Sequence, residues 1–214
     1  MDIEEKTSSI LSQMPAHNNE QIDSLMQELV NLDQDGLNEI IKRVKPAGHG
    51  DDSQARFALG SMAFYLTKTR LEQERTWYSN TLTKAINTGN KGEVNAFYMS
   101  LLQIAGTNEA VPALASYLDN EKLCDPAVRA LVDINSVESE DALINALNTT
   151  DVRIQTSLVE GLGYMQSLKS AKRIRELSKT DKPDLKKVCL YALANIPDIK
   201  AESLLVNEAK NAGF

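Results

Sequence analysis

Aromatic residues make up only 5% of this 214-residue chain, and glycine and proline are also scarce, at ten and six. That argues against a fold of many short strands, which draws on aromatic and β-branched residues and on turn formers. Only two histidines, His17 and His49, are present, and neither sits in a metal-binding spacing. There is no Gly-x-Ser-x-Gly nucleophile turn, no Walker-type phosphate loop and no dinucleotide fingerprint. Nothing marks a cleft that would hold two carboxylates at the fixed separation glycoside chemistry needs. The sequence therefore offers no catalytic residue, no metal ligand set and no cofactor site. No apolar run approaches the roughly 20 residues of a membrane span. The start, Met1-Asp2-Ile3-Glu4-Glu5-Lys6, is acidic and has no apolar signal core. Basic charge is in deficit, with 23 Lys and Arg against 30 Asp and Glu for a net −7, so general nucleic-acid affinity is not expected. The excess acid is concentrated early: residues 1–50 hold nine acidic against four basic side chains.

What the chain does have is helix formers in a repeating pattern. Ala, Leu, Glu, Lys and Gln dominate its periodic stretches. The clearest copy is Asp125-Pro126-Ala127-Val128-Arg129-Ala130-Leu131-Val132-Asp133-Ile134. Its core is a small residue, then Leu, then an apolar residue three further on: Ala130, Leu131, Ile134. The triplet recurs as Ser100, Leu101, Ile104; as Gly161, Leu162, Met165; as Ala192, Leu193, Ile196; as Ala58, Leu59, Met62; and more weakly as Glu28, Leu29, Leu32. The last positions are separated by 30, 42, 30, 31 and 31 residues, a period typical of repeat arrays. A pair of short helices cannot stand alone in water, and stacking the next pair covers its apolar faces. The fold expected is therefore all-α: a right-handed α-solenoid of about six helix pairs behind an N-terminal cap helix. The small residues at 58, 100, 130, 161 and 192 are expected to let neighbouring helices approach closely.

As a single domain over 1–214, the expected order is a cap helix over 2–14, ended by Pro15, then helix pairs over 19–45, 51–88, 92–118, 123–148, 151–179 and 183–212. Asp33-Gln34-Asp35-Gly36 is expected to be the turn within the first pair, and Asp125 to cap a helix that has Pro126 at its first position. Ser136 or Ser139 is expected to serve the start of the next helix, and Asp151 the one after. The longer helix expected at about 70–88 accounts for the 42-residue gap. Cys124 and Cys189 fall in different pairs with one pair between them. Stacked helices lie about 10 Å apart, which puts the two sulfurs out of disulfide reach. Both read as small core residues.

The pattern resembles the HEAT-repeat family, in particular short bacterial repeats of about 30 residues. The resemblance rests on the 125–134 stretch and on Glu160-Gly161-Leu162-Gly163-Tyr164-Met165. It covers about 92–212 well and 19–88 more loosely. In that family an Asp and an Arg of the first helix often tie adjacent repeats together, and the resemblance gives Asp125 and Arg129 that role. Asp52 and Arg56 share the spacing but are slipped by one residue, and Asp151 has only Gln155 four residues on. The segment Pro46 to Leu59 also resembles the repeat regions of exported bacterial proteins, some of which carry a sugar-hydrolase-like jelly-roll domain. The resemblance thus implies an exported or periplasmic location, with the cytoplasm as the alternative. The abrupt end at Asn211-Ala212-Gly213-Phe214 leads us to expect a fragment of a longer protein. Known HEAT-like enzymes include DNA glycosylases and bilin-attaching lyases; the acidic charge counts against the first, and no residue supports the second.

Three stretches are candidates for binding. The loop Gly48–Ser53 could offer backbone N–H groups to an anion, or His49, Asp51 and Asp52 could contact a metal or polar ligand. The alternative, which the residue types favour, is a tight turn whose glycines take positive φ and whose acids cap the next helix. Seven of eleven aromatics fall within 57–98. Among them Trp77 lies off the stripe of Leu71, Tyr78 and Leu82, so it could stack on a sugar or anchor a peptide, or simply add core volume. Lys169, Lys172, Arg173, Arg175, Lys179, Lys182, Lys186 and Lys187 crowd together, as a patch for an acidic partner or, less favoured, for nucleic-acid phosphates, or as a solvated face. The function expected is a non-catalytic scaffold for a protein partner or an attached domain. The alternative is a carbohydrate or small-ligand module using Trp77 and the 48–53 loop.

Overall fold

The computed structural model describes residues 2–86 and 92–211. Among them it contains thirteen α-helices, three short 3-10 turns and no strand. Residues 87–88 and 212, expected to lie in helix pairs, and the chain end at 212–214 fall outside the described residues. The chain divides into two compact units, Met1–Ala113 and Leu114–Phe214.

The first unit is built from α1 (Ile3–Leu11), α2 (Asn19–Val30), α3 (Asp33–Ile41), α4 (Ser53–Thr69), α5 (Glu72–Ile86) and α6 (Gly92–Ala105). They pack as two rows, α2–α4–α6 and α1–α3–α5, each row lying against the other. The helix α1 opens with a capping box: Asp2 accepts from the Glu5 N–H at 2.8 Å, and Glu5 accepts from the Asp2 N–H. It stops at Leu11 rather than running to Pro15. The Ser12 hydroxyl and Gln13 amide both donate back to the Ser9 carbonyl, a local alternative to helical bonding. Asp33 is not a turn residue between two helices but the first residue of α3, with φ +53°. Leu32 stands at the cap without a side-chain bond, and a Cβ on Gly36 would lie 2.5 Å from Leu32 Cβ. Only glycine leaves room for that reversal.

The second unit contains α8 (Cys124–Ile134), α9 (Val137–Ala146), α10 (Val152–Tyr164), α11 (Ala171–Leu177), α12 (Pro183–Asn195) and α13 (Glu202–Asn211). The short α7 (Val111–Ala115) contains the boundary between the units. The first helices pack in series, α8 on α10 and α10 on α12. Their connections keep a 31-residue register: Ser136, Ser167 and Asp198 each cap the element that follows, accepting from the N–H of Ser139, Ser170 and Lys200. The residue before the cap is left-handed at Asn135 and Gln166. The third copy has Pro197 there, whose ring fixes φ in the negative range.

The repeated Leu is buried in all six copies: 29, 59, 101, 131, 162 and 193. Burial of each of these side chains contributes roughly 1.5–3 kcal/mol. The small residue is buried at Ala58, Ala130, Gly161 and Ala192, but Ser100 is exposed, its hydroxyl donating to the Phe97 carbonyl. α10 and α12 approach closely at their backbones: a Cβ on Gly163 would meet Ala192 Cβ at 2.8 Å and Ala192 Cα at 2.9 Å.

Candidate functional site

The loop between α3 and α4 is held at both ends by Asp52. Its carboxylate accepts the Lys45 N–H at 2.9 Å and pairs with Arg56 at 2.8 Å. Burial pushes the Asp52 carboxyl up, but those two donors outweigh it and hold it below its ordinary range. Arg56 reaches further. It donates to the Lys45 carbonyl, pairs with Glu93 of α6 at 2.8 Å, and lies 4.5 Å from the centre of the Phe97 ring. Glu93 in turn accepts the Ala47 N–H. One guanidinium thus joins α4, α6 and the loop. Gly48 and Gly50 take φ of +80° and +128°, the positive values expected of them. Asp51 accepts the Ser53 N–H, which lowers its pKa. His49 is exposed and its Nδ1 lies 3.1 Å from the Ala47 carbonyl. An open cleft of about 220 Å³ lies beside this loop, lined by Leu11, Arg43, Lys45 and residues 51–55.

Trp77 is elsewhere in the same unit. It is half-buried and lines a second cleft, of about 440 Å³, with Asp33, Gln34, Asp35, Gln73 and Glu74. The loop acids and Trp77 therefore line different clefts. The rest of the aromatic cluster divides: Tyr65, Tyr78 and Tyr98 are core residues, Phe64 is exposed and Phe97 lies under Arg56. Tyr78 donates to the Leu59 carbonyl at 2.7 Å, and burial pushes the Tyr98 hydroxyl up to about 12.

In the second unit, α8 begins at Cys124 with Leu123 at its cap. Asp125 is thus inside the first turn and is not the cap. The loop before it is held instead by Asn120, whose side chain accepts from the Lys122 and Leu123 N–H groups. Asp125 accepts from the Ser157 hydroxyl of α10, so it does reach the next pair. Arg129 is exposed and, among the described residues, enters no ion pair or side-chain hydrogen bond. Other links between pairs join Glu121 to Arg153, Glu140 and Asp141 to Lys169, and Asp198 to Arg175. The basic cluster is largely neutralised: Lys169, Arg173, Arg175, Lys182 and Lys186 all have acidic partners.

An apolar feature stands out beside these polar links. Val137, Leu168 and Ile199 are 62%, 58% and 83% exposed. Each is the residue just after the cap at 136, 167 or 198. They occupy one equivalent position in three successive helix pairs. Tyr164, four residues before Leu168, and Tyr191 are also well exposed. Glu93 and the 137–168–199 series did not emerge from the sequence, and Phe97 was visible there only as one of the clustered aromatics. The series was signalled there only by its 31-residue spacing.

No family model matches the chain. No curated protein matches it. Among solved structures the chain is similar to two engineered proteins. One is 18% identical with a TM-score of 0.49, the match covering 89% of this chain and 96% of that one. The other is 19% identical with a TM-score of 0.47, the match covering 97% of this chain and 61% of that one.

Proposed function

We propose that this chain is a non-catalytic helical-repeat module that presents a surface to a protein partner or to a domain attached to it. In this reading it is a right-handed solenoid of six HEAT-like pairs, with α1 as its cap. The observation that carries the binding role is the series Val137, Leu168 and Ile199. Single exposed apolar residues are ordinary. Three at one equivalent position in consecutive pairs, with exposed Tyr164 four residues before the middle one, recur at 31-residue intervals, and we read them as an apolar edge of the kind that marks interaction sites. Exposed tyrosines such as Tyr164 are among the residue types that dominate the energetics of interfaces.

The test is capture of partners from the native host with three baits: wild type, Leu168→Asp with Ile199→Asp, and Phe64→Asp. The last replaces an exposed apolar residue of the other unit. A protein retained by wild type and Phe64→Asp but lost with the double variant supports the reading, provided the melting curves coincide. Equal recovery on all three baits refutes it.

A further inference from the structure

In the row α8–α10–α12, one side of each helix holds the next. On α8 that side runs through Asp125, Val128 and Val132. Asp125 accepts from the Ser157 hydroxyl of α10, and a Cβ on Gly161 would lie 2.6 Å from Val128 Cγ1 and 3.2 Å from Val132 Cγ2. The same stripe 31 residues later is Thr156, Val159 and Gly163, with Gly163 against Ala192 of α12. Val128, Val159 and Gly163 are all buried. A further 31 residues on, the stripe is Lys187, Leu190 and Ala194 of α12. Here Leu190 is only half-buried, and Lys187 and Ala194 are exposed. Among the described residues Lys187 enters no ion pair or side-chain hydrogen bond. The second helices agree. Leu143 and Ile174 are fully buried, but Leu205, at the same place in α13, is half-buried, and Val206 beside it is exposed.

We infer that this outer side of α12 is a docking site for a helix of another protein. That helix carries an acidic residue opposite Lys187 and, four residues later, a glycine or alanine opposite Leu190 and Ala194. The chain supplies the template. α10 meets α8 with Ser157 opposite Asp125 and Gly161 opposite Val128 and Val132, two residues on one helix face. α12 meets Gly163 with Ala192. At both crossings the arriving residue is small, which lets the helices come close. The polar member changes with its partner: Asp125 takes a hydroxyl, whereas a lysine ammonium only donates and is matched by a carboxylate. A second copy of the chain does not fit. Two α12 stripes set face to face bring no acid to Lys187. The first pair has Glu28 where Gly161 and Ala192 stand, and a carboxylate there would be buried against Leu190 without a partner. The stripe is separate from the 137–168–199 series.

The probe is a fluorescein-labelled peptide of residues 151–165 with Ser157→Glu. A lactam between Glu160 and Tyr164→Lys, both exposed in α10, holds it helical, since so short a helix is marginal in water. Anisotropy titration with the full chain should give saturable binding. Affinity should fall roughly tenfold or more with Gly161→Leu in the peptide or Ala194→Arg in the chain, the latter at an exposed position. Lys187→Glu should weaken this peptide and favour one with Ser157→Lys. The Leu168→Asp with Ile199→Asp chain should bind as wild type does. No saturation by about 1 mM, equal binding of the Gly161→Leu peptide, undiminished binding by Ala194→Arg, no preference on charge exchange, or loss in the double variant would each overturn the assignment. Sedimentation of the chain alone completes the test: self-association abolished by Ala194→Arg would give this face to a second copy and overturn it too.

Discussion

Two glycines inside helices, Gly60 in α4 and Gly163 in α10, should respond in opposite ways to the same substitution. Alanine in a helix interior is favoured over glycine by about 0.5–1 kcal/mol. At Gly60 a new Cβ meets nothing within 4 Å, so Gly60→Ala should realise that gain. At Gly163 the new Cβ would sit 2.8 Å from Ala192 Cβ and 2.9 Å from Ala192 Cα, against an ordinary carbon–carbon separation of about 3.5–4.0 Å. The second of these atoms is backbone, so no rotamer change relieves the clash and α10 and α12 must move apart. Overpacking of this kind costs about 1–3 kcal/mol, which outweighs the propensity gain. The net expectation for Gly163→Ala is a loss of about 0.5–2 kcal/mol. At about 2–4 °C per kcal/mol for a chain of this size, Gly60→Ala should raise the melting temperature and Gly163→Ala should lower it. Circular dichroism at 222 nm and urea denaturation read both. Adding Ala192→Gly to Gly163→Ala should restore only part of the loss, because the backbone at 192 still crowds the new methyl group. Gly163→Ala as stable as Gly60→Ala would refute the close α10–α12 approach.

Other consequences follow from single residues. Asp52→Asn should cost roughly 1–2 kcal/mol through loss of a charge-assisted pair with partly exposed Arg56. The folded-state pKa of Asp52 lies below its ordinary value, so its contribution is complete above about pH 4. It is lost as pH falls through the folded pKa, because the unfolded chain takes up this proton first. Acid titration of the unfolding midpoints of wild type and Asp52→Asn should therefore converge at low pH; a gap that persists would contradict that pairing. Burial pushes the thiols of Cys124 and Cys189 each up to about 11, so neither should react with a disulfide reagent at pH 8 until the chain unfolds; prompt native-state labelling would be the contrary result. Leu131→Asp places a carboxylate at a fully buried position and should cost at least about 4 kcal/mol; a wild-type melt would show that the repeated Leu does not face the core.

The repeated Leu was legible because burial imposes a period: a residue facing the next pair must recur each time the chain returns. The caps Ser136 and Asp151 were legible for a related reason, since a helix start needs an acceptor at a fixed offset. Asp33 was not, because the chain enters α3 through a left-handed residue that asparagine-like side chains tolerate, and an acidic run with a glycine reads equally well as a turn. Nor was the start of α8, where backbone bonds to Asn120 replace the cap expected of Asp125. The Trp77 cleft depends on α3 packing on α5, which brings Asp33 beside a residue 44 positions away. Val137, Leu168 and Ile199 were not singled out, because an apolar residue at a helix start looks the same whether it is buried or exposed.

The most direct measurement is amide hydrogen exchange on the chain with and without a partner captured through the 137–168–199 edge. New protection should concentrate on the first turns of the elements beginning at Val137, Leu168 and Ile199, the three together. Protection confined to residues 2–86, or unchanged exchange at those three turns, would contradict the proposal that this apolar edge is the binding surface.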